Sequence, residues 1–269
     1  MIGLISLISM LLGVRGFAQT PSEPATTETY VPTPKTYLLG EWGGERSRLE
    51  EKGVTFDVHY VVDALSNVRG GYSQANTAWG RIRATTDLDL GKLVNLRGTS
   101  LHATGVYQYG ANLGEQYIGA LANPSSLASA HTLRLDSWWL QQSMIHNKLV
   151  FRAGQFAGQD FNGVREYGAS FLSEPMGYAF SNLFGTVYES FDPASPPAAE
   201  IRVVPSPHVY VKTEVLSGNR DPYKQDTNGL HFKIENSPVF VSEAGYLINP
   251  ATGATFTKTL GPEPPSVKK

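Results

Sequence analysis

Charged residues of both signs recur at every second position in several segments of the chain, which is the arrangement that could line a polar surface. Residues 80–91 read GRIRATTDLDLG, so that polar residues alternate with apolar ones. The polar set is Arg81, Arg83, Thr85, Asp87 and Asp89, and the apolar set is Ile82, Ala84, Leu88 and Leu90. A period of two predicts a β-strand with one charged face and one apolar face.

The same alternation predicts about nine strands joined by frequent short turns, which is typical of an antiparallel all-β fold. One strand each is predicted within residues 54–62, 80–91, 99–109, 132–142 and 148–156, and two each within residues 200–215 and 230–248. Residues 45–53, ERSRLEEKG, predict a short N-terminal helix that ends at Gly53. No long periodic helix separates the strands, which disfavours a βαβ architecture.

Alternation does not show which face of a sheet meets water, so two interpretations stay open. A secreted β-sandwich turns its charged face to water, whereas a membrane barrel turns its apolar face to lipid and its charges inward. Residues 1–18 predict a signal peptide, since an apolar run from Ile2 to Leu12 leads to Gly16 and Ala18. Residues 19–36 predict a flexible leader rich in Pro and Thr. Export and the aromatic content favour the barrel.

Composition argues against several other classes of function. The chain has no Cys, and its six His are dispersed singly, so no metal site or cofactor is predicted. A formal net charge of -2 argues against a nucleic-acid partner. Asp87 and Asp89 have the spacing of a carboxylate pair, but on a strand this is more often a polar stripe. No nucleophile or phosphate-loop motif is present, so an enzyme is not predicted.

Three segments resemble the OprB-type carbohydrate-selective porins. They read YLLGEWGGERSRLEEKGVTFDVHY, LVFRAGQFAGQDF and ENSPVFVSEAGYLIN, and they occur in the family's order. The resemblance implies a barrel of sixteen strands in the bacterial outer membrane, with passive diffusion of mono- or oligosaccharides through a constricted pore. It makes residues 37–250 a partial porin barrel and residues 251–269 a Pro-rich tail. The alternative is a secreted carbohydrate-binding β-sandwich.

A barrel of that size needs roughly 400 residues, and this chain has 269. We therefore expect a shortened product or one piece of a split gene. The resemblance implies outer-membrane lipid and sugars as partners, and a homo-oligomer is left open.

The expected pore-lining residues are those in the middle of the polar strand faces: Arg83, Arg134, Asp136, Trp138 and Arg152. Guanidinium and carboxylate groups form charge-assisted hydrogen bonds with hydroxyls, and an indole packs against a sugar ring. For the charged members, structural ion pairs between strands are at least as plausible an interpretation. Residues 157–198 form a long predicted loop that folds either into the pore or outside it. The short helix is expected to cap the first strand rather than plug the pore.

Overall fold

The computed structural model describes residues 37–120, 123–125, 127, 131–156, 194–218, 227–230, 232, 234 and 237–246. The predicted signal peptide, leader and C-terminal tail lie outside these residues, as does most of the predicted loop at 157–198. The chain divides into two units, residues 1–40 and 41–269. The described part of the first unit is a turn in which the Gly40 N–H donates to the Tyr37 carbonyl at 2.9 Å. All of the described helices and strands belong to the second unit.

Within the described residues, eight antiparallel strands form one sheet in which every strand pairs with its neighbours in sequence. The strands are β1 (Val54–Asn67), β2 (Ala75–Asp89), β3 (Thr99–Gly110), β4 (Thr132–Met144), β5 (Leu149–Gln155), β6 (Pro197–Ser206), β7 (Val209–Leu216) and β8 (Val239–Tyr246). This confirms the predicted antiparallel all-β class. The ninth predicted strand, at 230–235, falls partly outside the described residues, and its described residues 230, 232 and 234 are not in a strand.

Short connections and long loops alternate between the two ends of the sheet. At one end, β4 and β5 are joined by residues 145–148, and β6 and β7 by residues 207–208. A short helix, α2 (Leu90–Val94), joins β2 to β3 at that same end. The longer connections, including residues 111–131 and 156–196, leave from the opposite end. Such alternation is typical of outer-membrane barrels.

Helix α1 (Glu45–Lys52) is attached to the start of β1, as the sequence predicts. The buried Arg46 guanidinium donates to the Phe56 carbonyl at 3.2 Å and lies over the Trp42 and Phe56 rings. Gly53 ends the helix with φ 96°, and its carbonyl accepts from the Asp89 N–H at 2.7 Å. The position of α1 follows from these contacts with β1 and the end of β2.

Replacing Gly53 with Ala is expected to lower the free energy of unfolding by about 1–2 kcal/mol, because a left-handed φ penalises any Cβ. The added Cβ would also lie 3.0 Å from the Asp89 Cβ and carbonyl oxygen. Urea unfolding in detergent micelles measures the change. Gly105→Ala is the matched control, since its Cβ meets only the Arg134 carbonyl, at 3.9 Å. An equal loss for both variants would contradict the prediction.

The alternating strand at 80–91 was predicted to continue through Leu90, and this is wrong. The strand ends at Asp89, whose side chain accepts from the Lys92 N–H at 3.2 Å and so caps α2. An Asp at a helix N-cap satisfies a backbone donor that a continuing strand would pair with its neighbour. Leu90 therefore begins a helix.

The sheet exposes its apolar face and buries its charged face, which is the reverse of the arrangement in a soluble protein. Phe151 and Ile201 on the apolar face are 45% and 48% exposed, whereas their neighbours Arg152 and Glu200 are 0% and 2% exposed. The buried set of the described residues is dominated by polar side chains rather than by an apolar core. A sandwich would bury the apolar face against a second sheet, and the described strands form only one. We call the face that carries Arg152 and Glu200 the polar face.

Candidate functional site: the polar face of the sheet

The polar face brings Arg83 of β2 and Asp136 of β4 together across the intervening strand. A guanidinium nitrogen of Arg83 lies 3.0 Å from Asp136 Oδ2, and Ser195 Oγ donates to Asp136 Oδ1 at 3.2 Å. The Asp136 carboxylate is buried, while the side chain of Arg83 is 28% exposed. Asp136 thus holds Arg83 in place, with part of the Arg83 side chain still exposed.

Arg152 forms the most deeply buried charged cluster of the polar face. One guanidinium nitrogen is 3.4 Å from Glu200 Oε1, and another donates to Gln141 Oε1 at 2.8 Å. The guanidinium carbon also lies 5.3 Å from the Trp139 ring centre and 5.8 Å from that of Phe156. The cluster joins β4, β5 and β6 through one cation.

Further polar pairs continue this network across the sheet. The Arg81 Nε donates to Gln108 Oε1 at 2.6 Å between β2 and β3. The ammonium of Lys212 on β7 lies 3.5 Å from a carboxylate oxygen of Glu243 on β8. Cations and anions are therefore interleaved along the polar face rather than grouped by sign.

His102 lies at the centre of a cluster that the sequence did not reveal. Its Nδ1 is 2.6 Å from Asp87 Oδ1, and its Nε2 is 2.9 Å from Thr104 Oγ1. Its ring stacks on Trp139 with centroids 3.7 Å apart and planes inclined by 11°. Strict alternation places Asp87, His102 and Thr104 on the same face. The missing information was the pairing of β3 with β2 and with β4, which brings Asp87 and Trp139 beside His102.

The prediction that Trp138 shares the face of Arg134 and Asp136 is wrong. The register between β3 and β4 shifts by one residue, so that Thr104 opposes Ser137 while Gly105 opposes Leu135. An extra residue in one strand of a pair is a β-bulge, and it reverses the alternation beyond it. Trp139 therefore comes to the polar face. Trp138 packs instead against Phe232, at 5.4 Å between ring centres.

The four charged residues predicted for the site all lie on the polar face, but they differ in accessibility. Arg134, Asp136 and Arg152 are buried, and Arg83 is partly exposed. Among the residues that the structure describes, no three His, Cys, Asp or Glu side chains are grouped as metal ligands would be. In the same part of the chain, no helix has the length and apolar content needed to cross a bilayer.

Residues 73–261 match the family model described as "Carbohydrate-selective porin, OprB family". The chain belongs to this family. That match covers seven of the eight strands and confirms the family predicted from the three sequence segments. It also explains why the polar face, rather than the apolar one, carries the buried side chains, since a porin surrounds its own interior with charge.

The chain is also similar to two known proteins. It is 30% identical over 224 residues to Porin B of Pseudomonas aeruginosa, covering 78% of this chain and 47% of that protein. It superposes on a solved structure of OprB from Pseudomonas putida, in its high-pH form, with a TM-score of 0.69. That match has 21% sequence identity and covers 76% of this chain and 50% of the other. The chain thus spans about half the length of both.

Proposed function

We propose that the protein carrying this chain is an outer-membrane porin through which mono- or oligosaccharides diffuse passively. The observation that carries the proposal is the reversed exposure of the sheet, with charges enclosed and aliphatic residues outside. Hydrocarbon is the environment that tolerates such an outer face. Family membership supports a transport channel rather than an enzyme. The polar face then lines a water-filled pore, and lipid covers the apolar face.

The polar face has the properties that a pore for neutral, hydroxyl-rich solutes requires. Fixed charges of both signs offer donors and acceptors to hydroxyls without favouring one sign of ion. Arg83 is the best placed of the expected lining residues, because Asp136 orients it and its side chain is partly exposed. Arg134, Asp136 and Arg152 support the wall from buried positions. Contacts of this kind stay weak enough for a solute to leave.

Sugar uptake by proteoliposomes tests the proposal. The protein is extracted in detergent as its cell makes it, reconstituted into vesicles and assayed by swelling in isosmotic mono- and oligosaccharide solutions. We expect swelling rates that fall with sugar size, and a band on unboiled gels that shifts on boiling. A protein that stays soluble without detergent and leaves the vesicles impermeable to sugars would contradict the proposal.

Arg83→Ala is expected to weaken sugar binding in the pore by about 3–10-fold, because a charged donor to hydroxyls is lost. Block of the ion current by a graded sugar series measures the apparent dissociation constant. The matched control is Arg48→Ala, since Arg48 is exposed on α1 and pairs with Glu45 there. The prediction fails if Arg48→Ala alters the block as much as Arg83→Ala does.

A further inference from the structure

Described residues of the connection after β3 contact β1 at the polar face. We call its described residues, 111–120, 123–125 and 127, the inner loop. Ser125 Oγ donates to Asp63 Oδ2 at 2.6 Å, although Asp63 lies on β1 and the loop follows β3. Because neighbouring strands are about 4.8 Å apart, the loop reaches over roughly 10 Å of sheet.

The register places Asp63 on the polar face. Asp63 lies opposite Trp79 of β2. Trp79 is two residues before Arg81 and therefore shares its face. Trp79 is only 2% exposed, while the side chain of His59, on the same face of β1 but farther from the loop, is 49% exposed. Trp79 is therefore covered beside Asp63, whereas His59 on β1 is half-exposed.

A second set of contacts fixes the inner loop from the side of the β1–β2 connection. The Tyr72 and Ser73 N–H groups both donate to the Tyr117 carbonyl, at 2.8 and 3.0 Å. A Cβ on Gly71 would lie 2.8 Å from the Ile118 Cα, so the two backbones are in close contact. The two connections form one layer at the long-loop end of the sheet.

Described residues of the inner loop also contact one another. Ser125 is buried, and its Oγ also accepts from the Leu127 N–H at 3.0 Å. Nearer β3, the Asn112 Oδ1 accepts from the Glu115 N–H at 3.1 Å and starts a single π-helical turn, Gly114–Ile118. The hydrogen bond to Asp63 thus joins the inner loop to β1.

We propose that Asp63 is a positioning residue that holds the inner loop across the polar face and thereby sets the size limit of the pore. The Ser125–Asp63 hydrogen bond ties the loop to β1, in addition to the loop's backbone contacts with the β1–β2 connection. This inference rests on the proposed function, because a size limit has meaning only for a pore.

The test compares Asp63→Ala and Ser125→Ala with the unaltered protein, using the vesicle swelling assay with a monosaccharide and a trisaccharide. We expect the trisaccharide-to-monosaccharide ratio of swelling rates to rise about twofold or more in both variants, as the constriction widens. Hydrogen exchange at the Tyr72 and Ser73 amides should also quicken. Asp63→Asn keeps an oxygen acceptor for Ser125 and should restore both readouts.

Asp57→Ala is the matched control, since Asp57 is on the same strand and face and bonds to His59 at 3.0 Å. It should leave the size ratio and amide exchange unchanged. If the unaltered protein passes sugars but neither Asp63→Ala nor Ser125→Ala changes the size ratio, this inference alone is overturned. Unaltered protein that passes no sugar overturns the proposed function and this inference with it.

Discussion

Arg152→Ala is expected to lower the free energy of unfolding by about 3–5 kcal/mol, because it removes one partner of a buried ion pair. Glu200 is as deeply buried as Arg152 and lies 3.4 Å from it. The substitution also removes the donor to Gln141 and the cation above the Trp139 ring. Urea unfolding of the reconstituted protein, followed by tryptophan fluorescence, measures the loss.

The double variant Arg152→Met with Glu200→Gln separates charge from packing. Removing both charges while keeping side-chain volume should recover most of the stability, because no unpaired charge then stays buried. Arg48→Ala, which breaks an exposed pair on α1, should change stability by no more than about 0.5 kcal/mol. A double variant as unstable as Arg152→Ala would show that packing, not charge pairing, is what Arg152 contributes.

Ile201→Lys is expected to make folding into a bilayer less favourable by about 2–4 kcal/mol, which is the cost of placing an ammonium near the membrane midplane. Ile201 lies in the middle of β6, is half-exposed, and stands between Phe151 and Thr213 on the neighbouring strands. In a soluble sheet, the same substitution at an exposed position would change the free energy of unfolding by no more than about 0.5 kcal/mol. Folding into lipid vesicles from urea, read by gel shift, distinguishes the two environments.

Thr55→Lys is the matched control for Ile201→Lys. Thr55 is on the opposite face, where its cross-strand neighbour on β2 is Asp87, so the new ammonium meets a carboxylate rather than hydrocarbon. We expect little change for this variant. Equal tolerance of Lys at 201 and 55 would refute the assignment of the apolar face to lipid.

Local patterns predicted the elements well because each depends on residues close in sequence. The two-residue period over 99–109 gave β3, and the charged segment before Gly53 gave α1. The end of β2 was missed, since Asp89 serves equally well as a strand residue and as a helix cap. Competition between such local choices is decided by the backbone partners that each conformation offers.

The site could be predicted only in part, because a single register shift changed its membership. Arg83, Arg134, Asp136 and Arg152 were placed on one face by alternation alone. The bulge beside Asp136 exchanged Trp138 for Trp139, and it depends on how β3 and β4 pair. Nothing in the order of residues 132–142 marks that extra residue. The same pairing brought His102 against Trp139.

The sequence by itself determined that this chain forms alternating strands with one ionic and one apolar face, since side-chain direction along a strand is a property of the backbone. It also carried the family resemblance. Only the tertiary structure decided which face is enclosed, which charges pair, and that the inner loop binds β1 at Asp63. Those outcomes depend on contacts between residues far apart in the chain, and such contacts exist only once the strands are in register.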